Sequence, residues 1–277
     1  MRVDYHVHTP YCGHAHGKII HYIDSAIENG IQEIGFADHL GRYYLTPAQK
    51  RRYWDWGMDE RELVRYYAEL SDLREIYSDR IAVKIGLEID YIEGAEDLLA
   101  PFFDNFSLDF CLCSIHCIPR FGWKHLSDYH SNTDNSEVYK EYFRLSRAAL
   151  KSGLFHSLAH LDFIWRYLNW PVNEHEEMLS EISRTVQTAL QSDRCIEINA
   201  NGFIFSKANR NQDFDPFDFL IDQISQYNAP ITTGSDAHDP KMVAKAFPEM
   251  INFLLSKGIT SFRSFSDGNP SSNSLYP

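Results

Sequence analysis

What most limits the fold of this chain is a rhythm: short apolar runs of strand length alternate with longer segments of helical period almost from end to end. Strands are read near residues 3–8, 33–37, 82–88, 109–116, 155–160, 195–199 and 230–235. Helices are read near 19–29, 59–77, 137–152, 174–191, 216–227 and 240–256. In the second of these, Leu63, Tyr66, Leu70, Leu73 and Tyr77 recur on one face. Gly30, Gly153 and Gly258 stand where such helices should end. Seven strand–helix pairs without a long linker predict one α/β barrel of the TIM-like kind over residues 1–265, not two domains. The Ser/Asn/Pro-rich tail at 266–277 is expected to be loose. The longest interruption, residues 41–58, is dense in Tyr, Trp and Arg, and reads equally as a self-packed surface loop or as a lid over the barrel mouth.

A chain of 277 residues with 44% hydrophobic content can bury a full core. With 26 Lys and Arg against 39 Asp and Glu, its net charge of −13 opposes broad binding to nucleic acid or anionic lipid. A small anionic substrate stays compatible, because bound cations invert the local field. No apolar run reaches the roughly 18 residues of a membrane span, and Asp4, His6 and His8 sit where a secretory leader would be apolar. Cys12, Cys111, Cys113, Cys117 and Cys195 form an odd set without repeated CxxC spacing, so free thiols in a reducing, cytoplasmic setting are expected.

In an α/β barrel the carboxyl ends of the strands converge on one mouth. Six of the seven strands end in, or run into, a residue able to hold a metal. These are His6 and His8, then Asp38 and His39, then Glu88, His116 and His160, and finally Asp236 and His238. His6-x-His8 puts both imidazoles on one strand face, and Asp236-x-His238 is expected to do the same on the closing strand. Glu88 follows an apolar run in which an unpaired carboxylate would be costly, a cost that bridging two cations removes. Imidazoles and carboxylates without a cysteine cluster suit Zn, Mn or Fe better than a structural zinc finger. His156 shares strand parity with His160 but lies deeper, and reads as a core residue. His21, His125, His130 and His175 read as surface or supporting residues.

The run of motifs then resembles a known family. His6-Val7-His8, Cys12-Gly13-His14-Ala15, Asp38-His39, Gly86-Leu87-Glu88, Ser114-Ile115-His116, Ala159-His160 and Gly234-Ser235-Asp236-Ala237-His238 look like the PHP (polymerase and histidinol phosphatase) superfamily, in order and over nearly the whole chain. Tyr11-Cys12-Gly13-His14-Ala15, the Glu/Arg-rich helix before Gly86-Leu87-Glu88-Ile89-Asp90-Tyr91, and Glu197-Ile198-Asn199 resemble its histidinol-phosphate phosphatases. The resemblance implies a distorted seven-stranded barrel holding about two to three divalent ions. It implies one ion on His6, His8, Glu88 and Asp236, a second on Glu88, His116 and His160, and a third on His14, His39 and His238. Glu88, Asp236 and His238 are also expected to carry catalysis.

The function implied is hydrolysis of a phosphate monoester, foremost L-histidinol phosphate in histidine biosynthesis, by a metal-bridging hydroxide. The partner is then a small phosphorylated metabolite; oligomeric state is not legible. Arg166, six residues past His160, is the first candidate for a guanidinium contact to phosphate, followed by Arg42, Lys207 and Arg210. Asp38, Glu197 and Asn199 are expected to support the ligand histidines, Asp38 by orienting His39 or another of them. The run Asn199-Ala200-Asn201-Gly202-Phe203-Ile204 departs from the Asn-Thr-Ser-Gly-basic pattern of that branch, as Cys117-Ile118-Pro119-Arg120 departs after the fourth strand. A sugar or nucleotide monophosphate or small diester therefore remains an alternative substrate. A non-catalytic metal-binding module would be expected to lack part of the ligand set. Carbon–nitrogen hydrolysis would call for a bridging lysine or carboxylate late in the barrel.

Overall fold

The computed structural model describes residues 1–42, 45–50, 57–129, 135–209 and 214–276. Seven parallel strands run β1 (Val3–Val7), β2 (Glu33–His39), β3 (Ala82–Asp90), β4 (Phe110–Ser114), β7 (Ser157–Leu158), β8 (Cys195–Asn199) and β9 (Ile231–Gly234), hydrogen-bonded in that order. Between β4 and β7 lies a small antiparallel pair, β5 (Cys117–Ile118) with β6 (Lys124–His125). The sheet curls until its ends meet: Val7 bridges Ala237, and the His8 amide donates to the Ala237 carbonyl at 2.9 Å. The result is a seven-stranded α/β barrel, nearly closed. Its strands are buried on both faces, which explains their continuous apolar runs.

Helices wrap the outside because each offers one apolar stripe. The longest of the first half, Glu60–Ile76, starts with a full capping box, in which Asp59 accepts from the Arg61 and Glu62 amides and Glu62 returns a bond to the Asp59 amide. It buries Leu63, Tyr66, Leu70 and Leu73, the stripe read from the sequence. Ser136–Ser152 ends at Gly153 in the left-handed conformation, as expected. No helix among the described residues is long and apolar enough to cross a membrane.

At the amino ends of the strands, Tyr5, Phe110 and Phe265 meet with ring centres 4.9, 5.6 and 6.2 Å apart. Phe110 lies directly on Gly86 of β3, where even a methyl group would collide with the ring. The tail is where expectation and structure part. Ser261–Ser266 (β10) pairs with Asn269–Ser274 (β11) in a hairpin, and the Gly268 amide donates to the Asp109 carbonyl at 3.0 Å. The polar composition that suggested looseness reflects the exposed face of this hairpin; its anchors are Phe262, Phe265 and Leu275.

Two further differences have local causes. The last outer helix begins at Phe247, not near 240, because Pro240–Met242 forms a tight 3-10 turn and Ala244 and Ala246 take left-handed backbone angles. A short helix, Ala200–Ala208, follows β8 at once, its first turn capped by Asn199; its weak amphipathicity hid it from a periodicity reading. Within the 41–58 interruption, residues 43–44 and 51–56 lie outside the described residues, as does His130. The described ends are drawn together at the tip of β2: Met58 donates to the His39 carbonyl, and Gly41 to the Met58 carbonyl, each at 2.9 Å.

Candidate metal centre

Every strand that was read as ending in a reactive residue delivers it to the same mouth. Glu88 stands at the centre, 1% exposed. One of its carboxylate oxygens lies 3.0 Å from His39 Nδ1, 3.2 Å from His6 Nε2 and 3.5 Å from His8 Nε2. The other lies 2.8 Å from His160 Nε2 and 3.5 Å from His116 Nε2. Burial alone would favour a protonated Glu88, but His39, His6 and His116 outweigh it and hold the carboxyl well below its usual range. Asp236 Oδ1 is 3.3 Å from His8 Nε2 and 3.7 Å from His6 Nε2. His14 and His238 face each other at the rim, Nε2 to Nε2, at 2.9 Å.

The orientation of these rings tests whether cations fit among them. His6 Nδ1 meets Glu197 at 2.7 Å and His116 Nδ1 meets Asp90 at 2.9 Å. His14 Nδ1 faces the Cys12 carbonyl at 3.0 Å, and His238 Nδ1 the Asp236 carbonyl at 3.1 Å. A backbone carbonyl only accepts, so each of these last two rings holds a proton on Nδ1 and, when neutral, turns a bare Nε2 lone pair inward. Two lone pairs 2.9 Å apart repel unless a cation lies between or beside them. Outward nitrogen held, inward nitrogen free, is the arrangement metal-binding histidines adopt. The groups His6–His8–Asp236, His6–Glu88–His160 and His8–His39–His238 each place their donor atoms within 4.8 Å of one another. The residues present fit divalent cations.

Several supporting contacts follow from the sequence, and others do not. Glu197, buried on β8, reaches both His6 and the His160 amide, each at 2.7 Å, and takes a third bond from Asn199 at 3.3 Å. Gly234 makes room for this; a side chain there would run into Glu197 and His6. Asp38 binds the Thr9 amide at 2.6 Å and the Thr9 hydroxyl, and lies 3.5 Å from His8 Nδ1. It therefore serves the loop after β1 and His8, a ligand-candidate histidine other than its chain neighbour His39. Asp90 is a functional residue that the strand ends alone do not reveal, although its even offset from Glu88 on β3 places both on one face. It holds His116 and, through Oδ2, Arg42 Nη2 at 2.6 Å.

That ion pair corrects the expectation for Arg42: 2% exposed and engaged by Asp90, the guanidinium braces the Asp90–His116 pair and does not line the mouth. Lys207 is corrected too; its ammonium sits over the rings of Phe203 and Phe253, 4.7 and 4.1 Å from their centres, away from the mouth. Arg210 lies outside the described residues. Arg166 does line the mouth, with Asn201, Asp236 and His238. Its Nε pairs with Asp162 at 2.9 Å, and its Nη2 is buried without a hydrogen-bond partner among the described residues. Asp236 and His238 stand past the end of β9, with Asp236 at φ 56°, so a turn and not strand parity aims them. His156 is the core residue expected: Nδ1 accepts from the Cys111 amide at 2.9 Å, and Nε2 faces the Gly268 carbonyl at 3.1 Å.

The chain matches the PHP domain over residues 4–201. A probable histidinol-phosphatase of Deinococcus radiodurans is 25% identical over 260 residues, covering 92% of this chain and 93% of that protein. The histidinol-phosphatase of Bacillus subtilis is 24% identical over 263 residues, covering 88% and 96%. The crystal structure of histidinol phosphate phosphatase from Lactococcus lactis, complexed with Zn, L-histidinol and phosphate, has the same fold. It matches with a TM-score of 0.78 and 21% identity over 98% of each chain.

Proposed function

The chain belongs to the PHP family and is a phosphoric monoester hydrolase, and on that footing we propose that it converts L-histidinol phosphate to L-histidinol and phosphate. The observation that carries this reading is Glu88, a buried carboxylate ringed by five inward-turned imidazoles at the open end of the barrel. His6, His8, Glu88 and Asp236 would hold one divalent ion, Glu88, His116 and His160 a second, and His14, His39 and His238 a third. Zinc, iron and manganese all suit such donors. When bound, such ions supply Lewis acidity to phosphoryl oxygens and make a water acidic enough to attack near neutral pH.

The chain's own residues do the rest. Arg166, held by Asp162, offers Nη2 to the phosphate, where a guanidinium contact strengthens as charge builds on the phosphoryl oxygens. Glu197 and Asp90 keep His6 and His116 in the tautomer that turns an unprotonated Nε2 toward Glu88. A second reading, a different small phosphate ester, is favoured by one observation: the segment after β8 brings Asn201, a neutral side chain 3.4 Å from Asp236, to the mouth, and carries Phe203 at the position where that branch has its basic residue. Comparing kcat/KM for L-histidinol phosphate with a panel of sugar, nucleotide and diester substrates tests the choice. A preference for histidinol phosphate supports the first reading; weak turnover of it beside fast turnover of another ester removes it.

A further inference from the structure

The mouth is a cavity of about 510 Å³ with two unlike halves. One half is ionic, made by His14, His39, Asp236 and His238. The other is aromatic, made by Phe163, Tyr167 and His125. Phe163 stands edge-on to His116 at 4.9 Å and to His125 at 5.8 Å, and lies 4.9 Å from Tyr167. His116 is thus both a candidate ligand and the first ring of this wall. A group esterified to a phosphate held at the ionic half falls against His125, Phe163 and Tyr167.

His125 brings more than area. The Ser127 amide, which only donates, points at His125 Nδ1 from 3.2 Å. Nδ1 is therefore an acceptor, and the neutral ring carries its proton on Nε2. The ring offers a flat face and an N–H without adding positive charge beside the cation sites. It is presented by β6, a two-residue strand paired to Cys117 and Ile118, so its position is set by a hairpin outside the barrel sheet. Tyr167, 44% exposed, is an aromatic the core does not need, at the edge of the same cavity.

We propose that His125, with Phe163 and Tyr167, forms the leaving-group subsite and selects a flat, nitrogen-bearing ring on the alcohol side of the ester. This rests on the reading of the mouth as a phosphomonoesterase site, and it assigns the discrimination between substrates to the aromatic wall. Such a ring both stacks on the wall and accepts from a ring N–H; an aliphatic alcohol can accept but does not stack.

Two measurements separate the subsite from the substrate assignment. The first is calorimetric binding of L-histidinol to metal-loaded wild type, His125→Ala and His125→Phe, with metal content of each. The second is the ratio of kcat/KM for L-histidinol phosphate to that for ring-free 2-aminoethyl phosphate. His125→Ala is expected to weaken L-histidinol binding about tenfold and to lower the ratio by a similar factor. His125→Phe, which keeps a stacking face, should recover part of the binding, and metal content should not change. Binding by His125→Ala within about twofold of wild type, no binding by wild type at all, or loss of metal from the variant overturns the subsite. Tight, His125-dependent binding in a protein that does not cleave L-histidinol phosphate leaves the subsite standing and contradicts the proposed substrate.

Discussion

Glu197 and His6 face each other across the barrel interior, carboxylate oxygen to Nδ1 at 2.7 Å, both essentially sealed from solvent. The second oxygen of Glu197 holds the backbone of His160. One carboxylate therefore sets the aim of two residues whose other nitrogens converge on Glu88.

Glu197→Gln keeps the shape but loses the charge that fixes the His6 tautomer. It is expected to weaken metal binding about ten- to a hundredfold. Chelator competition reads this directly; metal affinity equal to wild type would mean that the contact only fills space.

Arg166→Ala removes the guanidinium that lines the mouth while leaving all nine candidate ligands in place. A charged hydrogen bond contributes about 1.5–3 kcal/mol, so kcat/KM should fall about ten- to a hundredfold with metal content unchanged. Loss of metal would show that Arg166 supports the ligands instead. Asp162 would be left buried without its partner, so the melting temperature should also drop.

Gly86→Ala probes the barrel floor. Its new methyl group would be driven into the Phe110 ring, packed between Tyr5 and Phe265 with little room to move. Overpacking of this kind costs about 1–3 kcal/mol. Denaturant titration should show the loss as a shifted midpoint with an unchanged slope.

The ion-free site has a definite pH sense. Burial disfavours charge on His6, His8 and His116, yet Glu197, Asp236, Asp38, Asp90 and Glu88 prevail and raise all three above the ordinary imidazole range. A proton on those rings must leave before a cation can take the lone pair. His39 and His238 are lowered by burial, His238 to about 3, so they bind no competing proton near neutrality. Metal affinity should thus climb as pH rises above about 6.5, with protons released on binding. Calorimetry in two buffers of unlike ionisation heat counts those protons; none released near pH 6.5 would contradict the electrostatics.

Much of this site was legible because strand ends obey simple rules. Parity placed Glu197 and Asn199 inward and Glu88 at the tip of an apolar run, and the structure puts them there. What parity could not supply were positions set by turns. Asp236 is aimed by a left-handed residue, and His125 by a hairpin of two-residue strands too short to carry a pattern. Arg42 departs from expectation for a different reason. Composition tells how many cations a chain carries, but only the fold shows that Asp90 already holds Arg42, while Arg166 keeps one nitrogen without a partner among the described residues.

The most direct measurement is the number of divalent ions bound per chain, by elemental analysis of protein loaded and then freed of excess metal, in wild type, His8→Ala and Asp236→Asn. About two to three ions are expected in wild type, fewer in each variant, with phosphatase turnover abolished in the variants while their circular dichroism stays native. Less than one ion in wild type, or variants that keep both metal and turnover, would contradict the convergence of His6, His8, Glu88, His116, His160 and Asp236 on shared cations.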